Sequence, residues 1–203
     1  MGHGIDASQL PQLAQYVARL PAGLASYPEC RSRGTLVLSA AEGHELSPWR
    51  DAMPPEVWAL IEQPPLPGAW VPAVLSDAVF FAVVDTHYPR PEQVVQWTRE
   101  RTLRTARSRM YRALTRISGP SMVLRMSAAV HGMFQKGTDL DATRTDDGMT
   151  LRLTHPPHLH GGSNHLANVG MFEVLLEIAT ARPSRVEMLE SEPQWALYHA
   201  RWG

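Results

Sequence analysis

Four of the nine histidines in this 203-residue chain fall within one short stretch. Thr154 to His165 reads T-H-P-P-H-L-H-G-G-S-N-H and holds His155, His158, His160 and His165. Neutral imidazole is a common protein donor to transition metals, and it serves both zinc sites and heme iron. His155, His158 and His160 are near enough in sequence to converge, and His165 sits near a helix start. These four are therefore the candidate metal ligands, for zinc or for heme. Other features of the stretch point elsewhere. Pro156-Pro157 forces an extended backbone that separates His155 from His158. No H-E-x-x-H and no H-x-x-x-H on a helix occurs. Asp146 and Asp147 lie at the far end of the preceding hairpin and are poor partners. Without any metal the stretch already works as a connector. Pro156-Pro157 end a hairpin, Gly161-Gly162 turn the chain, and Ser163 or Asn164 caps a helix. The expectation is a loop of solvated histidines and no cofactor. The alternative is a metal- or heme-dependent sensor or enzyme using the His155–His165 loop.

Other chemistries find less support. There is no G-x-S-x-G, and Gly161-Gly162-Ser163 lacks the G-K-[ST] that a phosphate loop needs. Cys30 is the only cysteine, which excludes an internal disulfide and favours a reducing compartment. It reads as a small packing residue. His131 and His199 are isolated and read as structural. No paired carboxylates share a helical face in a way that suggests acid–base work. A net charge of −1 and a pI near 6.8 argue against general nucleic-acid or membrane binding. The chain has no basic start followed by an apolar run. Its most apolar stretch, 69–84, is shorter than the roughly 20 residues of a membrane span. A cytoplasmic protein is expected.

The elements that must position these residues can be read from periodicity and punctuation. Ser8 to Leu20 predicts a helix with Ser8 as its N-cap and Leu10, Leu13, Val17 and Leu20 at helical spacing. Thr35 to Leu38 reads as a short strand. Ser47-Pro48-Trp49 starts a helix, and Glu56 to Gln63 is a second short one. Trp70 to Asp85, apolar nearly all round, predicts a buried central helix. A long helix follows from about Glu92 to Ile117. Val95, Leu103, Ala106, Met110, Ala113, Leu114 and Ile117 line one face, and Arg101, Arg104, Arg109, Arg112 and Arg116 line the other. Residues 99–136 carry eight Arg and one Lys against one Glu, while the segments on both sides are acidic. That face is expected to pair with those segments, within the chain or across a dimer. Ser121 to Gln135 is a further helix. Asp139–Arg144 and Met149–Thr154 alternate around Asp146-Asp147-Gly148, a strong hairpin signal. A helix over 164–181 has Val169, Phe172, Leu176 and Ala179 on one face, Glu173 and Glu177 on the other, and Gly170 where a neighbour comes close. Arg185–Glu190 and Trp195–Trp202 make a last hairpin.

This second half resembles a known family in the order of its parts. The order is a long Arg-rich helix, Gly119-Pro120, a second helix, a hairpin opening Asp139-Leu-Asp-Ala, Asn168 ahead of Gly170-Met-Phe-Glu, and a final V-x-M…W-A-L-Y-H-A-R-W hairpin. It resembles an uncharacterised paralogous family expanded in myxobacteria. That family is similar in layout to the vinyl-reductase-type and heme–nitric-oxide-like small-molecule-binding domains. The resemblance spans roughly residues 34–203 and is clearest over 90–203. It implies one antiparallel sheet of two hairpins with a helix between them. The cysteine cluster of vinyl-reductase-type domains is absent. So is the Tyr-x-Ser-x-Arg heme-propionate pattern, for which Arg107-Ser-Arg-Met-Tyr111 has the wrong order. The resemblance therefore carries the fold and no functional residue.

The resulting expectation is an α+β fold over residues 1–203 as a single domain. Residues 1–90 are mostly helical, and residues 91–203 form a long helix plus a helix-hairpin-helix-hairpin core. The expected function is a non-enzymatic regulatory or signalling module that binds a small apolar ligand or a protein partner, as a homodimer.

Overall fold

A computed structural model describes residues 4–106, 120–180 and 182–202. The chain opens with helix α1 (Pro11–Arg19), which buries Leu13 and Tyr16. Its N-cap is Leu10 and no neighbouring side chain caps it. Ser8, the expected cap, hydrogen-bonds the Asp6 carboxylate instead. The orphan amides of the first turn are satisfied from a distance: Asp85 accepts from Gln12 N–H at 3.1 Å and from Leu13 N–H at 3.0 Å.

Strand β1 (Arg31–Arg33) runs straight into helix α2 (Gly34–Ala41). The strand expected at Thr35–Leu38 is thus helical. A four-residue apolar run does not distinguish a strand from a buried helical turn, and here Val37 and Ala40 face the core at helical spacing. A 3₁₀ turn (Ser47–Ala52) and helix α3 (Pro55–Glu62) follow, each with proline in its first turn. Strand β2 (Trp70–Pro72) leads into helix α4 (Ala73–His87), which is buried nearly all round as its composition predicts. Helix α5 (Pro91–Ala106) begins the long Arg-rich segment. Arg109, Arg112 and Arg116, with Met110, Ala113, Leu114 and Ile117, lie outside the described residues. Arg99 of α5, which is not on the expected arginine face, pairs with Glu173 at 2.7 Å and with Glu177 at 2.8 Å. Arg101 does not lie on an outward face, as its place on the helical wheel predicts, but in the wall of a cavity.

Helix α6 (Pro120–Phe134) passes into a two-residue strand β3 (Gln135–Lys136). β1 pairs antiparallel with β2 and with β3, making a small sheet that no alternation in the sequence announces. The main sheet is the one the two hairpins build. β4 (Asp139–Thr145) and β5 (Gly148–Thr154) pair across Asp146-Asp147. Helix α7 (Gly162–Thr180) follows, then β6 (Ser184–Glu192) and β7 (Trp195–Trp202). The strand order is β4-β5-β7-β6, antiparallel throughout. Leu151, Leu153, Ala196, Tyr198 and Ala200 turn inward against Phe172 and Leu176 of α7.

The buried apolar side chains form two clusters. One gathers α1 to α4 with Val94 and Trp97 of α5, and the other gathers the main sheet with α7 and Leu124. Gly170 brings α7 onto α5: a Cβ there would sit 2.5 Å from the Val95 carbonyl oxygen. No described helix is long and apolar enough to cross a membrane.

Candidate functional site

The histidine stretch is the joint between β5 and α7, and it is folded inward rather than solvated. His155, His160 and His165 are all at most 5% exposed. Their rings pack together, His155 against His160 at 4.8 Å between centroids and against His165 at 5.3 Å. His158 does not join that ring packing. It takes a left-handed φ of 62° just after Pro156-Pro157 and lines a surface cleft that His160 and His165 also line. Leu159 is fully buried, and Gly161 lies flat on Phe81, where a Cβ would stand 2.8 Å from the ring. The loop is therefore pinned on both sides of His160.

Hydrogen bonding assigns the tautomers of two of these rings. His155 Nδ1 lies 2.9 Å from the Pro156 carbonyl, which only accepts, so Nδ1 carries the proton. His155 Nε2 then accepts from His165 Nε2–H at 3.1 Å. His165 Nδ1 in turn accepts from the Ser191 hydroxyl at 2.7 Å. Both rings are neutral with both nitrogens engaged. Burial, with the neighbouring His160 imidazole, pushes the His155 pKa down to about 3 and that of His165 down to about 4.

His160 is arranged differently. Its Nδ1 donates to Asp77 Oδ2 at 2.7 Å, and both side chains are buried. Its Nε2 is buried and has no hydrogen-bond partner among the described residues. Nearby, His131 Nε2 is 2.8 Å from the Thr138 hydroxyl, and burial, then the His160 ring, pushes His131 down to about 4.

His160 and Asp77 stand in the wall of a cavity of about 440 Å³ between the N-terminal helices and the α6–sheet–α7 half. That volume is within the range of small-molecule and cofactor sites. Its walls are mostly apolar, with Leu36, Phe80, Leu140, Leu153, Met171 and Phe172 among them. Arg101 supplies a cation there. It lies 5.0 Å over the Trp97 ring and has no carboxylate partner among the described residues. Burial, then the Arg104 charge, pulls its pKa down to about 10. His160 also borders the second, more polar cleft of about 460 Å³ lined by Tyr16, Arg19, His158 and Ser191.

Of the four histidines singled out by sequence, three meet and one does not. Among the described residues no three His, Cys, Asp or Glu side chains are grouped to hold a metal ion by themselves. Asp77, Ser191 and Arg101 were not foreseen as part of the site. Asp77 did leave a trace, because a carboxylate inside the apolar run of α4 must find a buried partner. Nothing in the sequence says that the partner lies 83 residues away. His199, expected to be isolated, pairs with Asp147 at 3.1 Å beside the β4–β5 turn. Burial raises the Cys30 thiol, and Cys30 packs against Gly137, in keeping with a packing role.

The arrangement of helices around a four-stranded antiparallel sheet is similar to that of solved H-NOX domains, the heme–nitric-oxide/oxygen-binding class. Three solved structures with this fold make the likeness concrete. One, titled for the modulation of heme redox potential through protein-induced porphyrin distortion, is 11% identical with a TM-score of 0.57, covering 83% of this chain and 97% of its own. The I5F mutant of the T. tengcongensis H-NOX is 13% identical with a TM-score of 0.57, covering 83% and 96%. An oxygen-binding H-NOX domain related to soluble guanylate cyclases is 10% identical with a TM-score of 0.54, covering 83% and 90%. No family profile and no curated protein matches the sequence. The likeness bears out the fold and the heme–nitric-oxide-like layout inferred from the order of elements. It overturns the expectation of a protein without cofactor, since the structures that share the fold include those titled as heme proteins. That expectation rested on missing motifs, whereas the cavity is built from dispersed apolar residues that no motif records.

Proposed function

We propose that residues 1–203 act as one ligand-binding sensor unit that holds a heme in the cavity between its two halves. The observation that carries this reading is the cavity itself: apolar, of about 440 Å³, and bordered by one cation, Arg101, and by His160. The residues fit the group. Leu36, Phe80, Leu140 and Phe172 offer the apolar faces a macrocycle needs. Arg101, lacking a carboxylate partner among the described residues, suits the carboxylates that a heme carries. A zinc ion needs three or four protein ligands, which no group of described residues supplies. A heme brings four in-plane nitrogens and asks the protein for one or two more. When bound it supplies an iron able to take up diatomic gases and to exchange electrons. The chain's own part is to bury the macrocycle, neutralise its carboxylates and exclude water.

The test is a titration of the purified chain with hemin, followed by absorption. A 1:1 end point with a shifted Soret band supports the reading, as does a further shift when nitric oxide or oxygen is added to the reduced, loaded protein. Met171→Trp, which fills the cavity, is expected to weaken hemin binding at least tenfold while circular dichroism stays unchanged. Binding unaffected by that substitution would place the heme elsewhere and sink the proposal.

A further inference from the structure

Resting on the heme reading, we infer that His160 is the residue that ligates the metal of the bound tetrapyrrole, with Asp77 as its positioning residue. The His155–His165 pair is a lock on the loop and not part of a ligand set.

Buried ring nitrogens without a partner single out His160 in the cavity wall. Both nitrogens of His155 and both of His165 are engaged in the chain that runs from the Pro156 carbonyl to Ser191. His131 has its Nε2 on Thr138. His158 stands outside the cavity wall, on the polar cleft. Only in His160 does a buried ring nitrogen of a cavity-wall histidine lack a partner among the described residues. A buried polar atom left unpaired is costly, and a metal held at this nitrogen would satisfy it.

The opposite side of the ring supports the same role. A carboxylate accepting from Nδ1–H fixes the tautomer that leaves the Nε2 lone pair free. It also orients the ring, the usual arrangement behind a metal-bound histidine. The backbone holds the ring as a donor must be held. Leu159 is fully buried, Gly161 is pressed on Phe81, and the His155 ring packs edge-on at 4.8 Å. Asp77 comes from α4 in the N-terminal half and His160 from the loop before α7. The donor is thus assembled from both sides of the cavity.

The experiment uses the full chain loaded with hemin, reduced, and examined by absorption and resonance Raman spectroscopy. The wild type is expected to show an iron–histidine stretching band. His160→Gly should lose that band and bind hemin at least tenfold more weakly, and millimolar imidazole should restore the band. His160→Gln, which keeps most of the volume, gives the same loss if the glycine variant folds poorly. Asp77→Asn should keep the band but move it to lower frequency, a change that mere structural support does not produce. His158→Ala should leave it unmoved. A His160→Gln chain that binds hemin with the wild-type band would overturn the assignment and leave the heme reading standing. A wild-type chain that takes up no hemin would overturn both.

Discussion

Asp77 and His160 form a buried pair whose energetics follow from what each atom has left to bond. Replacing Asp77 with Ala leaves the His160 Nδ1–H buried without an acceptor, which costs about 1–3 kcal/mol. Urea denaturation of the metal-free protein measures this, and a loss within a few tenths of a kcal/mol would show that water reaches the ring. The run of four histidines was legible in the sequence, but its burial was not: a loop of solvated histidines was expected, and His155, His160 and His165 are at most 5% exposed. Nor was it legible which nitrogen faces what. That depends on the Pro156 carbonyl, on Ser191 at the end of β6 and on Asp77 in α4. Residue spacing along one loop carries no information about partners delivered by tertiary packing.

At the scale of elements, α5 and α7 are the closest helical neighbours, and two features hold them together. Gly170 lets the backbones touch, and Arg99 spans Glu173 and Glu177 in a three-bond clamp. Gly170→Ala forces a Cβ into the Val95 carbonyl and is expected to destabilise by about 1–3 kcal/mol. Arg99→Ala removes a charge-assisted clamp that is about a quarter exposed, so about 1–2 kcal/mol is expected after allowing for solvent screening. The two changes share one interface, so thermal unfolding of the double variant should depart from additivity. Simple addition would mean that the helices do not yield together. The sequence foretold Gly170 and both hairpins because local patterns specify them: an Asp-Gly turn, strict alternation, a glycine inside a helical pattern. It did not foretell α2 or the small sheet. There the decision is tertiary, since three residues of β1 have a ladder only because β2 and β3 arrive on either side.

The whole molecule carries several imidazoles that folding holds neutral. Burial lowers the pKa of His44 and of His87, and the same cause brings His155 to about 3 and His165 to about 4. A free histidine titrates near 6.5, so between these values the unfolded chain binds more protons than the folded one. The stabilisation is fully present above pH ~6.5 and is lost as pH falls toward 4. Denaturation midpoints of the metal-free protein should decline through that window, and a flat profile between pH 7 and 4 would contradict the buried, neutral assignment. Loading acts in the opposite direction. A ligand that binds only the folded chain raises its stability by about 2.7 kcal/mol at one hundred times its Kd. The unfolding temperature should therefore climb with hemin concentration, and a temperature independent of hemin would argue against specific binding.

Val94 and Val95 are consecutive residues of α5, yet they serve different cores. Val94, with Trp97, packs among α1 to α4, and Val95 packs against the sheet and α7. The same helix turns Arg99 toward α7 and Arg101 toward the cavity. It is a shaft with a bearing at each core. A change in spacing between the two cores would therefore act on α5 at both contacts.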